Sequence, residues 1–103
     1  LDAVTAVSGS GPAWFFRFVE ALEKAAVDLG LSAEDAATLV RSTAAGAGQM
    51  MQGDDAPSTL RERVTTPGGT TAAGLDVFDQ ALDALAQEAL RAARDRGAEL
   101  GRQ

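Results

Sequence analysis

The chain has no cysteine, no histidine and no tyrosine, and it carries one tryptophan and one lysine among its 103 residues. Without cysteine there are no disulfides, no thiolate metal ligands and no thiol nucleophile; without histidine the commonest general base and zinc ligand are missing. Chemistry performed here must use hydroxyls, carboxylates, backbone donors or groups lent by another chain. Basic residues are scarce too, nine Lys and Arg against fifteen Asp and Glu, for a net charge of −6 and a pI near 4.4. A surface that tracks phosphates needs clustered Lys and Arg, so a nucleic-acid partner is excluded as an expectation. The apolar runs are too short for a bilayer span, and the N-terminus has no basic stretch leading into a long apolar core. No membrane association is expected, and the cytoplasm is the expected compartment. The chain starts at Leu1 rather than Met, which reads as an excised domain or a fragment.

What is abundant is alanine, about a fifth of the residues, and the apolar pattern is almost wholly of period 3.6. After a short β-like lead at Ala3 to Val7, Pro12 stands where the first residue of a helix favours proline. Phe15, Phe18, Val19, Leu22, Ala26 and Leu29 then mark one helix face, and Gly30 supplies the stop. Ser32 with Asp35 three residues on opens a second helix, lined by Ala36, Leu39, Val40, Thr43, Ala47, Met50 and Met51 until Gly53. Within it, Ala44-Ala45-Gly46-Ala47-Gly48 costs roughly 1 kcal/mol per glycine relative to alanine, which predicts close approach of another helix. Residues 54–57 read as a linker and Ser58 to Val64 as a short helix. After Thr70 the stripe Leu75, Phe78, Leu82, Leu85, Ala89 and Ala93 runs toward the C-terminus, with a possible break near Gln80 and Ala81. One all-α domain spanning residues 1–103 is expected, small enough that its core is better completed by a second copy.

The charged residues on the helices read as a solvated face, with pairs such as Arg91 to Asp95 adding a few tenths of a kcal/mol. Asp54 and Asp55 point in different directions from a linker and lack further ligands, so no metal site is expected. The run Ser8-Gly9-Ser10-Gly11-Pro12 fails as a dinucleotide loop, because the third glycine of that fingerprint falls on Trp14.

The most informative segment is Thr65-Thr66-Pro67-Gly68-Gly69-Thr70-Thr71, a Pro-Gly-Gly turn set directly before a helix. The first N–H groups of a helix have no partner inside it, and glycines let a loop bring such donors to an anion without a Cβ in the way. Read alone, the turn is more simply a plain helix start with Thr70 as its cap, because helix-opening turns far outnumber ligand sites. Together with Ala3-Val4-Thr5-Ala6-Val7-Ser8-Gly9-Ser10-Gly11-Pro12 and the stretch from Leu60 to Gly74, however, it resembles the C-terminal domain of pyrroline-5-carboxylate reductases.

The resemblance implies an all-helical bundle that interlocks with a second subunit, similar to the C-terminal domain of 6-phosphogluconate dehydrogenase. It also implies homodimers, some assembled into rings of dimers, and a Rossmann domain preceding this one that holds NADP or NAD. The implied activity is reduction of 1-pyrroline-5-carboxylate to L-proline, in proline biosynthesis. By position, the substrate carboxylate falls on the backbone N–H groups of Gly69, Thr70 and Thr71, with Gly68 and Thr66 completing the binding loop and the Thr71 hydroxyl against the ring nitrogen as the catalytic group. Thr66 stands where the family often has serine. Arg63 stands where the family has an amide close to the nicotinamide cofactor of a neighbouring subunit; a solvated helix arginine is the simpler reading. Family members carry a Gly-Gly turn near Gln80 that this chain lacks, which allows a straighter C-terminal helix. The alternatives are the dimerisation domain of a related imine or hydroxyacid reductase, and a non-catalytic helical interaction module.

Overall fold

The computed structural model describes residues 1–102, which hold six α-helices, one π-helical segment and no strand. The helices are α1 (Asp2–Val4), α2 (Gly11–Asp28), α3 (Ala33–Met50), α4 (Pro57–Arg63), α5 (Thr70–Asp79) and α6 (Leu82–Gly101), with the π-helical segment Thr5–Gly9 between α1 and α2. None of them is long and apolar enough to cross a membrane. They fall into two compact units, Leu1–Trp14 with the chain from Thr66 onward, and Phe15–Thr65.

In the first unit α6 packs against α1 and the π-helical segment, and α5 against α6. The β-like lead expected at Ala3 to Val7 is helical instead. Its donors are used locally: Thr5 N–H bonds to Leu1 O at 2.9 Å, Ser10 N–H to Thr5 O at 3.0 Å, and the Ser8 hydroxyl to Val4 O at 2.9 Å. The Ser10–Thr5 bond spans five residues, the wide turn of a π-helix. Packing on α6 overrides the β preference of Val4, Thr5 and Val7, and it buries Ala6 to 3 % exposure. The indole N–H of Trp14 donates to Ala6 O at 3.0 Å and so ties this segment to the first turn of α2. Pro12 is the second residue of α2, a place where no helical N–H is missed. The C-terminal helix is broken, not continuous: α5 ends at Asp79, and Ala81, at φ −139°, restarts the chain as α6. No glycine is needed for this kink because no residue there adopts positive φ.

The second unit is built on the α2–α3 hairpin. Gly30, at φ +109°, lets the chain turn, with Gly30 N–H bonded to Val27 O at 2.9 Å and Leu31 N–H to Ala26 O at 3.2 Å, the paired bonds of a Schellman stop. Ser32 then caps α3, its hydroxyl oxygen accepting from Asp35 N–H at 3.0 Å, and Glu34 and Asp35 sit in the first turn. Proline opens α4 one residue earlier than the sequence pattern indicates, at Pro57.

Ala36 is fully buried near the hairpin, but beyond it the two arms diverge around an open apolar groove of about 900 Å³. Phe15, Phe18, Leu22 and Leu29 line one wall, and Leu39, Ala44, Gly48 and Met51 the other. The helical stripes predicted from the sequence are therefore present but uncovered: Phe15 is 68 % exposed and Leu29 89 %. On the surface Asp95 pairs with Arg94 at 3.1 Å rather than with Arg91, and Arg96 with Glu99 at 2.9 Å.

Gly30→Ala is expected to lower stability by about 1–3 kcal/mol, because a side chain there is held in a sparsely populated backbone region. Urea denaturation at fixed protein concentration measures it; an unchanged midpoint would show that the Schellman stop is dispensable.

Candidate functional site

The Pro-Gly-Gly segment folds as a β-turn that runs into α5. Gly69 N–H donates to Thr66 O at 2.9 Å, Pro67 and Gly68 occupy the two central positions, and Gly68 has φ +74°. Proline followed by a positive-φ glycine is the pattern of a type II turn. The left-handed backbone is confined to Gly68, while Gly69 is the N-cap of α5 with extended φ −88° and ψ −173°. Gly69 is constrained for a different reason. A Cβ added there would lie 3.1 Å from Thr66 O and 3.4 Å from Thr66 Cβ, so a side chain would press on the turn itself.

The first rung of the helix ladder is Ala73 N–H to Gly69 O, at 3.1 Å. The N–H groups of Thr70, Thr71 and Ala72 precede it and have no helical acceptor. Gly69 N–H, by contrast, is committed to the turn. Thr70 is the first residue of the helix rather than its cap, and no side chain caps α5 at all. Its first turn also lacks an acidic residue, unlike that of α3, so the positive end of the α5 dipole is left uncompensated by the chain.

The hydroxyls differ in availability. The Thr65 hydroxyl donates to Arg61 O at 2.6 Å and is spent on the end of α4. Those of Thr66, Thr70 and Thr71 belong to exposed residues and bond to nothing else among the described residues. One short segment therefore presents three backbone donors at a helix start, flanked by three hydroxyls. Donors arranged in this way are chemically suited to a small anion and need no lysine or arginine for it.

Arg63 lies in the other unit and is engaged, its guanidinium 2.7 Å from the Asp55 carboxylate. The carboxylate that a linker metal site would need is thus paired with an arginine, and no group of three or more metal-ligating side chains occurs among the described residues.

A family model described as pyrroline-5-carboxylate reductase dimerisation matches residues 1–100. The chain belongs to the pyrroline-5-carboxylate reductase dimerisation family. It is 50 % identical to the pyrroline-5-carboxylate reductase of Pseudomonas aeruginosa across its whole length and 46 % identical to that of Mycobacterium tuberculosis over 86 % of it. In both cases it spans 38 % of the relative's length. Among solved structures, a pyrroline-5-carboxylate reductase from Coxiella burnetii superposes with a TM-score of 0.91 at 42 % identity, over 96 % of this chain and 37 % of that one. The Plasmodium falciparum pyrroline carboxylate reductase with NADP bound superposes at 0.89, with 35 % identity, over 97 % and 40 %. The all-α fold implied by the resemblance is thus the fold of the family.

The residues described do not suit a dinucleotide. A pyrophosphate site of the Rossmann kind needs a strand leading through a glycine turn into a helix, and there is no strand. The Ser8 to Pro12 run sits between a π-helical segment and α2, with the Trp14 indole turned back onto Ala6.

Sequence reasoning missed the Trp14–Ala6 bond and an ion pair between Glu23 and Arg41 on the two arms of the hairpin. Neither has a local spacing signal, since the first depends on a π-turn and the second on how two helices face each other.

Gly68→Ala forces a Cβ into positive φ and is expected to destabilise the turn by about 1–2 kcal/mol. The Gly69 amide should then lose its protection from hydrogen exchange while amides in the middle of α6 keep theirs. Retained protection at Gly69 would refute the turn's dependence on a left-handed residue.

Proposed function

We propose that this chain is the dimerisation and substrate-binding part of a cytoplasmic enzyme that reduces 1-pyrroline-5-carboxylate to L-proline with NAD(P)H. The observation that carries the reading is the uncapped start of α5, delivered by a turn whose glycines keep side chains away from it. In this reading the substrate carboxylate accepts from the N–H groups of Thr70 and Thr71, with Ala72 N–H next in the row. The Gly69 amide holds the turn, and Gly68 and Thr66 shape it. Charge-assisted bonds of this type contribute about 1.5–3 kcal/mol each, and the helix dipole adds on the order of 0.3–1 kcal/mol.

The Thr71 hydroxyl lies against the ring nitrogen, where it orients the imine and holds the proton that the nitrogen gains. NAD(P)H supplies the hydride to the imine carbon and is bound by residues outside those described. Arg63, paired with Asp55, is not needed for the cofactor in this reading.

The partner is a second copy of the chain. Its 8060 Å² of accessible surface exceeds the area of about 6,500 Å² that scaling gives even for two separate compact bodies of half its mass. A Cβ at Gly46 or Gly48 would meet nothing within 4 Å, so the helix propensity lost at these glycines is not recovered inside one chain. Close approach of a second copy recovers it. Assembly of dimers into a ring is a further step consistent with this arrangement.

Titration of the ¹⁵N-labelled chain with L-proline is expected to shift the amide resonances of Thr70, Thr71 and Ala72, and proline methyl ester, which lacks the carboxylate, is expected to leave them in place. Equal responses to both, or none to proline, would refute the carboxylate clamp. In a complete reductase carrying this chain, Thr71→Ala is expected to lower kcat about 10- to 1,000-fold. Unchanged turnover removes Thr71 from the chemistry.

Sedimentation equilibrium at micromolar concentration is expected to give twice the chain mass. Gly48→Leu, which puts bulk into the groove wall, should lower apparent mass and Tm together. A stable folded monomer would overturn the dimer.

A further inference from the structure

The α2–α3 groove poses a mechanical problem. Each arm is 18 residues, about 27 Å long, and the facing walls are almost wholly apolar. Apolar attraction has no direction, so two such walls in water gain by closing on each other as much as by admitting a third surface. Ala36 fixes the hairpin end, but beyond it the backbones of the arms do not pack closely.

A polar link spans the arms. Arg41 on α3 and Glu23 on α2 meet in a two-point fork, Nε to Oε2 at 3.1 Å and Nη2 to Oε1 at 3.2 Å. Their chain neighbours Val40 and Leu22 line the groove, while Glu23 itself lines a smaller hollow with Ala33 and Ala36 toward the hairpin end, so the fork stands beside the groove rather than in it. The Glu23 side chain is 19 % exposed and held in place, while that of Arg41 is 70 % exposed and reaches across to it. The hydrogen bond and charge of Glu23 in turn raise the pKa of the Arg41 guanidinium.

We propose that the Glu23–Arg41 pair is a positioning strap that sets the separation of α2 and α3 and hence the width of the groove that receives the second copy. This rests on the dimer reading given above. A fork of two parallel N–H···O bonds is planar and directional, so it fixes a distance and an angle where apolar contact fixes neither. Exposed ion pairs contribute little to stability as such, so the effect belongs to the spacing of the arms and to association, not to helix content. The strap spans one chain only and makes the groove ready before the partner arrives.

The test is a charge-swap cycle with two readouts. Since the chain has no cysteine, Arg17→Cys and Gln49→Cys place spin labels on the two arms outside the groove lining. With both strap residues intact, pulsed electron spin resonance on labelled chain diluted into an excess of unlabelled chain, so that only the distance within one chain is read, should give one narrow distribution. Arg41→Glu or Glu23→Arg alone should shift or broaden it and raise the dimer Kd about tenfold, with far-UV circular dichroism unchanged. The double variant Glu23→Arg/Arg41→Glu, which restores opposite charges, should return both readouts to within about threefold of the parent. Arg41→Lys, which keeps the charge but loses the fork, should restore them only in part.

An unchanged distance distribution in the single variants, or a double variant no better than either, overturns the strap. A parent chain that is monomeric at every concentration overturns the dimer reading instead, and the distance readout still decides the strap.

Discussion

Apolar surface that the chain cannot cover by itself is the constraint on which the rest of the molecule depends. Among the described residues only Ala6 and Ala36 are buried apolar side chains, and no large side chain is fully enclosed. Alanine-rich helices explain this. Each contributes little volume to an interior, so phenylalanines and leucines that would normally meet across a core stand on open walls. A fold of this kind is half of a core, and its helix hairpin, glycine notch and strap make sense as the preparation of a surface for another copy.

The site obeys a different rule. Binding an anion at a helix start requires that the chain not satisfy those donors itself, and α3 shows the ordinary solution, a serine cap with two acids in its first turn. The start of α5 omits both and substitutes a turn in which Pro67 fixes the entry and Gly68 takes the left-handed position. Leaving a helix end open costs about 1 kcal/mol relative to a capped one. That penalty is small beside the bonds a carboxylate would make there, which is why a stable helix tolerates the opening.

How much of this could be read in the sequence divides along physical lines. The stripe from Phe15 to Leu29, the Gly30 stop and the Ser32–Asp35 cap are local patterns, and the structure has each of them. The break at Gln80 and Ala81 was legible only as an option, because the stripe from Leu75 to Ala93 keeps helical spacing across it and no glycine or proline marks it. Ala3 to Val7 misled because β-branched residues favour strands only when a partner strand exists, and here the neighbour is α6. The positive φ of Gly68 is legible from turn chemistry alone, since Pro67 at the second turn position leaves the third to glycine. The Glu23–Arg41 fork and the Trp14–Ala6 bond are not, because both depend on how segments meet in space.

The acidic balance of the chain bears on the last point. With a net charge of −6 this chain repels anions at long range, so the carboxylate recognition proposed above would have to be local. Backbone N–H groups and a helix dipole act within a turn of the helix end and carry no formal charge that a nearby acid could neutralise. A lysine or arginine in the same place would be drawn into pairs with the abundant carboxylates, as Arg63 is with Asp55 and Arg41 with Glu23. An uncharged clamp therefore suits this chain better than a cationic one, and the arginines are left free to act as structural ties.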